Sequence, residues 1–238
     1  MVASRKDKNK VERKHKWLII PAHPDDESRA AGLLFKERKK EDEVIILVMR
    51  LCGEGNACDR PDWTREEAIA QRSAEMKEAA DYLNARVLWF NPPNPSNKVI
   101  CATPDVVDKM AALLREINPD RIVTHDYEGV GDHGGTTEVV KAAIGKVVWD
   151  HLVELYYFDQ PGYVHPNFKP NYYVDISDPA LLAACLWTRL VHRSQTASSI
   201  MKIYLERYKE HGRAIGVEYA MAYMRSEIRP CGGVVHGT

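Results

Sequence analysis

The sequence has no long apolar run and almost no net charge. No stretch of its 238 residues approaches the roughly 18 to 20 consecutive apolar residues that cross a bilayer, so we expect no membrane span. The 33 Lys and Arg residues nearly balance the 34 Asp and Glu residues, which gives a formal net charge of -1. A chain so close to neutrality presents no broad basic surface, and this argues against nucleic acid as a partner.

Cysteine is also scarce, and its placement argues against a disulfide framework. The five cysteines are odd in number and scattered along the chain, at Cys52, Cys58, Cys101, Cys185 and Cys231. The first two have no second pair to match them, so a structural zinc site there is not expected. Free, scattered cysteines suit a reducing compartment, and we therefore predict a cytoplasmic location.

Short apolar runs alternate with helical patterns along most of the chain. The predicted strands cover residues 17–20, 43–49, 87–90, 121–124, 155–158 and 172–176. Helical patterns follow the first four strands and occur again at 181–191 and 196–211. The alternation predicts parallel strands joined by right-handed crossovers, hence an α/β, Rossmann-like three-layer sandwich with a mostly parallel sheet.

We divide the chain into an arm, one domain and a tail. Residues 1–16 are rich in Lys and Arg and lack an apolar signal core, so they are predicted to form a flexible basic arm. Residues 17–228 form the single predicted domain, because no composition change or repeat marks a second one. Residues 229–238 contain Pro and paired Gly and are predicted to be an irregular tail.

A polar cluster follows the first apolar run, with His23, Pro24, Asp25, Asp26 and Glu27 in succession. It stands at the carboxyl end of a buried strand, which is where open α/β sheets hold their ligands. The acids could simply cap the next helix. However, Pro24 fixes the turn, so His23 and Asp26 can converge while Asp25 points elsewhere. One imidazole and one carboxylate supply two of the three protein ligands of a catalytic zinc site.

A second polar cluster follows the fourth predicted strand and contains His125, Asp132 and His133. Parallel strands deliver their carboxyl ends to the same edge of the sheet, so we expect His133 to meet His23 and Asp26 there. His125 and Asp132 lie close by and could orient the ligands or stabilise charge during a reaction. The two clusters together predict a metal site.

At these residues the chain resembles the PIG-L/LmbE-like family of zinc-dependent N-acetylglucosaminyl de-N-acetylases. Residues 21–28 match the family's Ala-His-Pro-Asp-Asp-Glu signature completely, and supporting features run to about residue 225. These features are Gly53-Glu54, Arg72 with Glu75, Asp132-His133, Val174-Asp175-Ile176-Ser177 and His192-Arg193-Ser194-Gln195. The resemblance covers nearly all of the predicted domain.

The resemblance implies a role for each matching residue. The implied zinc ligands are His23, Asp26 and His133, with Asp25 as general base. Iron(II) also suits this ligand set. Catalytic roles are assigned to Asp25, His125 and Asp132, and substrate contacts to Arg72, Glu54 and Gln195, although Gln195 could merely close a turn. The implied partner is a small-molecule amino sugar, and the resemblance is compatible with a homo-oligomer.

The chain departs from the family pattern at Val130. The family's second motif usually has a His three residues before the metal-binding one, and that His is credited with stabilising the oxyanion or protonating the leaving amine. Val130 occupies its position here. His125 or another group could take over this role.

The predicted function is removal of an acetyl group from an N-acetylglucosamine-type substrate by metal-activated water. An alternative within enzymes is an amidase acting on a thiol–sugar conjugate or another amide. A different class is a catalytically weakened sugar- or metal-binding protein, which the loss of the second-motif His motivates. Magnesium-dependent phosphoryl chemistry is disfavoured, because magnesium prefers oxygen ligands and the cluster supplies two imidazoles.

Overall fold

A computed structural model of the chain describes residues 14–51, 63–91, 99–126, 131–161, 167–194, 198–230 and 233–236. The strands are β1 (Lys16–Ile20), β2 (Glu43–Val48), β3 (Arg86–Trp89), β4 (Arg121–His125), β5 (Val153–Phe158), β6 (Tyr172–Asp175), β7 (Ala220–Arg229) and β8 (Gly233–His236). The α-helices are α1 (Ala31–Glu37), α2 (Arg65–Tyr82), α3 (Pro104–Ile117), α4 (Asp132–Ile144), α5 (Pro179–Leu190) and α6 (Ser198–Ile215). A short 3-10 helix, Asp26–Ala30, precedes α1.

All eight strands join one sheet. The strand order is β3-β2-β1-β4-β5-β7-β6, and β8 pairs with β7 beyond this path. Strands β1 to β5 are parallel to their neighbours, whereas β7 is antiparallel to β5, β6 and β8. The order of the first five strands is that of a Rossmann fold. Strands are added outward from β1 first on one side, to β3, and then on the other side, from β4 onward.

Helices cover both faces of the sheet because successive strand residues point to opposite sides. On β1, Trp17 and Ile19 join one buried cluster, whereas Leu18 and Ile20 join the other. The first cluster lies beneath α1, α2, α5 and α6, and the second beneath α3 and α4. The predicted three-layer α/β sandwich is thereby confirmed. No helix within the described ranges is long and apolar enough to cross a membrane.

Two helices begin at residues with polar side chains that matter for the fold or the site. Thr64 and Glu67 form a capping box at the start of α2, with each side chain accepting a hydrogen bond from the other's backbone N–H. Helix α4 begins at Asp132, next to the start near His133 that the sequence predicts, and this places Asp132 and His133 in its first turn.

The sheet differs from the sequence prediction in three places. The sequence patterns do not predict β7, which lies between β5 and β6. The predicted irregular tail is wrong over Gly233–His236, which pairs with Ser226–Arg229 because β7 extends past β6 and leaves backbone groups there to be satisfied. Lys16 belongs to β1 rather than to the predicted arm, and residues 1–13 of that arm lie outside the described residues.

A buried carboxylate follows β5. Asp159 is 7% exposed, and its Oδ2 lies 3.0 Å from His211 Nε2 and also accepts from Arg207 Nε, both on α6. Burial alone would raise the pKa of Asp159, but the hydrogen bonds from His211 and Arg207 lower it. Because the folded pKa lies below the unfolded one, this carboxylate stabilises the fold above about pH 4 and loses that contribution as pH falls through the folded pKa.

We expect Asp159→Asn to lower the free energy of unfolding by about 1 to 3 kcal/mol at pH 7, because it removes the buried charge that accepts from Arg207 and His211 and leaves Arg207 with Glu210 alone. The difference from the parent should shrink as the pH falls towards the folded pKa. Urea unfolding at pH 7 and at successive pH values below 4 measures both effects. The control is Asp150→Asn, which breaks an exposed Asp–His pair and should change stability by less than about 1 kcal/mol. Equal pH dependence in the parent and Asp159→Asn would contradict the assignment.

Candidate metal centre

The two polar clusters meet at the carboxyl edge of the sheet, because β1 and β4 are parallel neighbours. One nitrogen or oxygen from each of His23, Asp26 and His133 lies within 4.8 Å of the others. His23 belongs to the loop after β1, Asp26 begins the 3-10 helix and His133 lies in the first turn of α4. The structure therefore brings together the three residues predicted to bind metal. That they bind metal remains a prediction.

Asp26 is the centre of this triad. Its Oδ2 lies 3.3 Å from His133 Nε2 and 3.7 Å from His23 Nδ1, and it accepts a 3.0 Å hydrogen bond from the His23 backbone N–H. Its Oδ1 accepts from Arg29 Nη1. Burial alone would raise the pKa of Asp26, but the charges of His133 and Arg29 hold it well below its usual range. Asp26 is thus ionised, as a metal ligand must be.

The His23 ring is hydrogen-bonded to a carboxylate on the side away from Asp26. Its Nε2 lies 2.8 Å from Asp132 Oδ2, which leaves Nδ1 on the side of Asp26. Asp132 is itself fixed, because its Oδ1 accepts from the Ile100 backbone N–H at 2.7 Å and lies 3.5 Å from Arg50 Nη1. A carboxylate that accepts from the outer nitrogen of a metal-binding imidazole orients the ring and raises its basicity. This position favours an orienting role for Asp132 over the predicted catalytic one.

We expect Asp132→Asn to weaken metal binding by about 10- to 100-fold, the usual cost of removing such an orienting carboxylate. The amide would keep the shape of the side chain but lose the charge that supports the His23 ring. Competition with a chromogenic chelator measures the dissociation constant. Asp108→Asn, which alters an exposed pair with Lys146 on the same face of the sheet, is the control and should leave metal affinity unchanged. Unchanged affinity in Asp132→Asn would refute the role.

A glycine in α4 allows the loop before α3 to reach this carboxylate. A Cβ built on Gly135 would lie 1.8 Å from the Ile100 carbonyl oxygen, and the Ile100 N–H is the group that donates to Asp132. No side chain can be added there without moving the backbone of one of the two segments. The close contact between α4 and the loop at Ile100 thus helps to hold Asp132 against the Nε2 of His23.

Gly135→Ala should therefore lower the free energy of unfolding by about 1 to 3 kcal/mol, as overpacking does, and weaken metal binding in parallel. Thermal unfolding of the metal-free protein and chelator competition measure the two effects. The matched control on the same helix is Gly145→Ala, where the nearest atom to a new Cβ is 3.5 Å away and φ is -65°. Equal stabilities for the two variants would show that the close contact at Ile100 is unimportant.

His125 is buried behind His133. Its side chain is 1% exposed, and its Nε2 accepts a 3.0 Å hydrogen bond from the Ala22 backbone N–H, so this nitrogen carries no proton. Burial lowers its pKa to about 3, which keeps the ring neutral. The ring stacks on His133 at a centroid distance of 4.5 Å. Its burial and its bond to Ala22 do not favour the catalytic role suggested for His125, and that role stays a prediction.

Asp25 lies beside the triad but is bound elsewhere. Its backbone is left-handed, with φ 112°, a conformation that costs a non-glycine residue about 1 to 3 kcal/mol. Its N–H donates to Glu27 Oε2 at 2.8 Å, and its Oδ2 lies 3.1 Å from Arg189 Nη2. The unusual φ turns this side chain away from the direction of Asp26. Two adjacent aspartates thus have separate positions, as the sequence predicts.

Two buried networks hold the segments around Asp25. Glu27 Oε1 lies 2.6 Å from His192 Nε2, and both side chains are fully buried. Glu75 on α2 accepts from the Ser194 backbone N–H at 3.0 Å and from its hydroxyl at 2.5 Å. Helix α2 and the segment after α5 are therefore fixed against the 3-10 helix, and His192 closes this turn rather than facing a substrate.

Arg72 belongs to the same framework. It is 5% exposed, and its Nη2 donates to the Pro24 carbonyl at 3.2 Å while lying 4.0 Å from Asp25 Oδ1. Such burial does not fit the predicted direct contact with substrate, because the guanidinium already supports the turn. The other predicted substrate contacts, Glu54 and Gln195, lie outside the described residues, as does Val130.

Sequence reasoning missed two arginines of the site. Arg29 donates to Asp26 Oδ1, on the side away from the triad, and Arg189 binds Asp25. Arg189 did leave a signal, since it is the one charged residue within the otherwise apolar helix α5, Pro179–Leu190. A single charge in an apolar helix predicts a buried counter-ion, although not which one.

The sheet order and the triad at its carboxyl edge define a Rossmann-like α/β protein with a candidate metal centre made of two histidines and one aspartate. Residues 18–144 match the PIG-L family model, described as GlcNAc-PI de-N-acetylase. The match covers more than half of the chain and contains all three residues of the triad. The chain belongs to the PIG-L family.

A curated relative and solved structures are similar to the chain. A probable N-acetyl-alpha-D-glucosaminyl L-malate deacetylase 2 from Bacillus cereus is 26% identical over 137 residues, which are 55% of this chain and 61% of the relative. The N,N'-diacetylchitobiose deacetylase of Pyrococcus horikoshii has a TM-score of 0.73 at 24% identity, covering 89% of this chain and 83% of that one. The match with the curated relative thus spans about three fifths of that protein's length.

A second similar structure is named for a different activity. The 4-carboxy-2-hydroxymuconate hydratase GalB of Pseudomonas putida has a TM-score of 0.66 at 17% identity, covering 89% of this chain and 95% of that one. At such identities the structural likeness establishes the fold alone. The reaction of the present chain must therefore be argued from its own site.

Proposed function

We propose that this protein is a metal-dependent hydrolase that removes the acetyl group from an N-acetylglucosamine-type substrate. The observation that carries the proposal is the triad of His23, Asp26 and His133, together with Asp25, which precedes Asp26 in the chain and whose carboxylate is held by Arg189 rather than by the triad. Amide hydrolysis needs such a separate base next to a metal site. Membership of the PIG-L family and the names of the two deacetylase relatives support the same reaction.

The donor set fits a catalytic divalent metal. Two imidazoles and one carboxylate are ligands that catalytic zinc sites use, and they leave a coordination position open. Asp26 is ionised, and Asp132 orients the His23 ring with Nδ1 on the triad side. We propose zinc as the metal, with iron(II) as the alternative that the same donors suit. When bound, the metal polarises the amide carbonyl and lowers the pKa of a water in its open position to roughly 7.

Asp25 supplies the proton transfer. Its carboxylate accepts a proton from the attacking water and returns it to the amide nitrogen as the C–N bond breaks, which yields acetate and a free amine. Asp26 cannot take this part, because one of its oxygens is bound by Arg29 and the other lies between the two triad imidazoles. The fixed turn around Pro24 keeps the base in place throughout.

The first test is product release from a panel of N-acetylated amino sugars and their conjugates. The metal-free protein and the zinc- and iron(II)-loaded proteins are compared for acetate and amine. We expect the two products in equal amounts from the loaded protein alone, and no release after chelation. Undiminished release by the metal-free protein would exclude a metal-dependent mechanism.

The same panel separates the alternatives. Release from thiol–sugar conjugates or other amides, with simple N-acetylglucosamine derivatives inert, would identify a related amidase. Stoichiometric metal and measurable sugar affinity without any release would identify a binding protein, the outcome that Val130 motivates. The cytoplasmic location and the homo-oligomer stay predictions.

A further inference from the structure

We propose that Arg189 is a positioning residue that holds the Asp25 carboxylate out of the metal coordination sphere and in place for proton transfer. The inference rests on the proposed function, since it assigns Asp25 as the base of that reaction. Nothing in the family signature contains Arg189, which lies on α5, far along the chain from the loop that it contacts. Three arginines contact the turn that carries Asp25 and Asp26, each at a different group.

The contact between Arg189 and Asp25 is direct and shielded from solvent. The guanidinium Nη2 lies 3.1 Å from Asp25 Oδ2, and the two side chains are 2% and 15% exposed. A charge-assisted hydrogen bond of this kind is about twice as strong as a neutral one, and burial protects it from competition by water. It is therefore strong enough to fix the rotamer of the carboxylate.

Asp25 needs such an anchor because its neighbour is a predicted ligand. The backbone of Asp25 is fixed by its own N–H, which donates to Glu27 Oε2, but this bond leaves the side-chain torsion free. A carboxylate next to Asp26 and free to rotate would be attracted to a divalent cation as an additional ligand. Once coordinated, it could no longer accept a proton. The bond to Arg189 opposes that rotation.

The other two arginines near this turn have different tasks. Arg29 binds Oδ1 of Asp26, and Arg72 donates to the Pro24 carbonyl while lying 4.0 Å from Asp25 Oδ1. At that distance Arg72 adds charge but no hydrogen bond. Of the arginines in the described part of the chain that face Asp25, Arg189 makes the closer contact.

Arg189 also stands on a rigid support. The residue lies in the last turn of α5, and the segment that follows is anchored by the buried pair of His192 and Glu27 and by the bonds from Ser194 to Glu75. A group that must hold another side chain to within about 0.5 Å needs this kind of support. The guanidinium is therefore fixed with respect to the same 3-10 helix that carries Asp26.

The test compares Arg189→Met and Arg189→Lys with the parent as metal-loaded proteins. Methionine keeps much of the volume without the charge, so we expect kcat to fall about 100-fold, the usual cost of a misplacement of about 1 Å, with KM changed less than about three-fold. Lysine should recover part of the loss. Metal stoichiometry should be unchanged in both. The matched control is Arg193→Met, which breaks an exposed pair with Glu78 and should leave kcat as in the parent.

Crystal structures of the zinc-loaded parent and Arg189→Met provide a readout that needs no turnover. We expect the Asp25 carboxylate to turn towards the metal in the variant, and zinc affinity to stay equal or rise. An unmoved carboxylate, an unchanged kcat, or a fall in kcat that follows loss of zinc would each overturn the inference. If Arg189→Met does not fold, Arg189→Lys carries the same comparison. If the parent releases no product, the proposed function fails separately, and the two structures still decide the role of Arg189.

Discussion

Replacement of Asp25 with Asn should lower turnover by about 1,000-fold while the metal content stays that of the parent. General acid–base catalysis contributes about 100- to 10,000-fold, and an amide has the size of the carboxylate but cannot accept the proton of water. The retained metal is as important as the lost activity. Asp25 lies outside the triad and its Oδ2 is bound by Arg189, so its replacement removes no predicted ligand.

Steady-state kinetics and metal analysis on the same preparation test this expectation. The control is Asp150→Asn, an exposed aspartate that pairs with His151 far from the triad in the fold, and it should behave as the parent. If metal and activity disappear together in Asp25→Asn, then Asp25 is a ligand and the division of tasks between the two aspartates is wrong. If activity persists, another group is the base.

Asp26→Asn is expected to have two large effects, one on metal binding and one on stability. A direct ligand should cost more affinity than the roughly 10- to 100-fold expected for an orienting carboxylate such as Asp132. The metal-free protein should also lose about 3 to 5 kcal/mol of unfolding free energy, the usual cost of breaking a buried ion pair from one side. The stranded group is Arg29, which is 6% exposed and bonded to Asp26 Oδ1.

A double variant separates these two effects. Adding Arg29→Met to Asp26→Asn removes the uncompensated charge, so urea unfolding in the presence of chelator should show much of the stability restored. Metal affinity should stay low, because the carboxylate is still absent. Restored metal binding in the double variant would mean that Arg29, rather than the loss of a ligand, caused the defect.

The sequence was informative wherever topology alone decides the outcome. The apolar runs of β1 and β4 are visible in the sequence, and parallel pairing then requires their carboxyl ends to meet. This is why His23, Asp26 and His133 could be expected at one point. Pro24 similarly indicated that Asp25 and Asp26 would diverge, and the structure has them bound to different arginines.

The sequence was less informative where burial decides which groups a side chain contacts. Nothing in the primary structure distinguishes His125 or Arg72 as buried groups from the same residue types facing a substrate. Their hydrogen bonds to Ala22 and Pro24 arise only when distant segments pack together. Strand β7 was missed for a related reason. Apolar and polar residues alternate only weakly along it, and its place between β5 and β6 is fixed by tertiary pairing.

The position of β7 also affects the order in which this protein can fold during synthesis. Within the described ranges, β6 pairs with β7 alone, and β7 follows α5 and α6 in the chain. Strands β1 to β5 can therefore assemble as each leaves the ribosome, whereas β6 must wait until two further helices and its partner have been translated. We expect β6 to join the sheet only after β1 to β5, when β7 enters between it and β5.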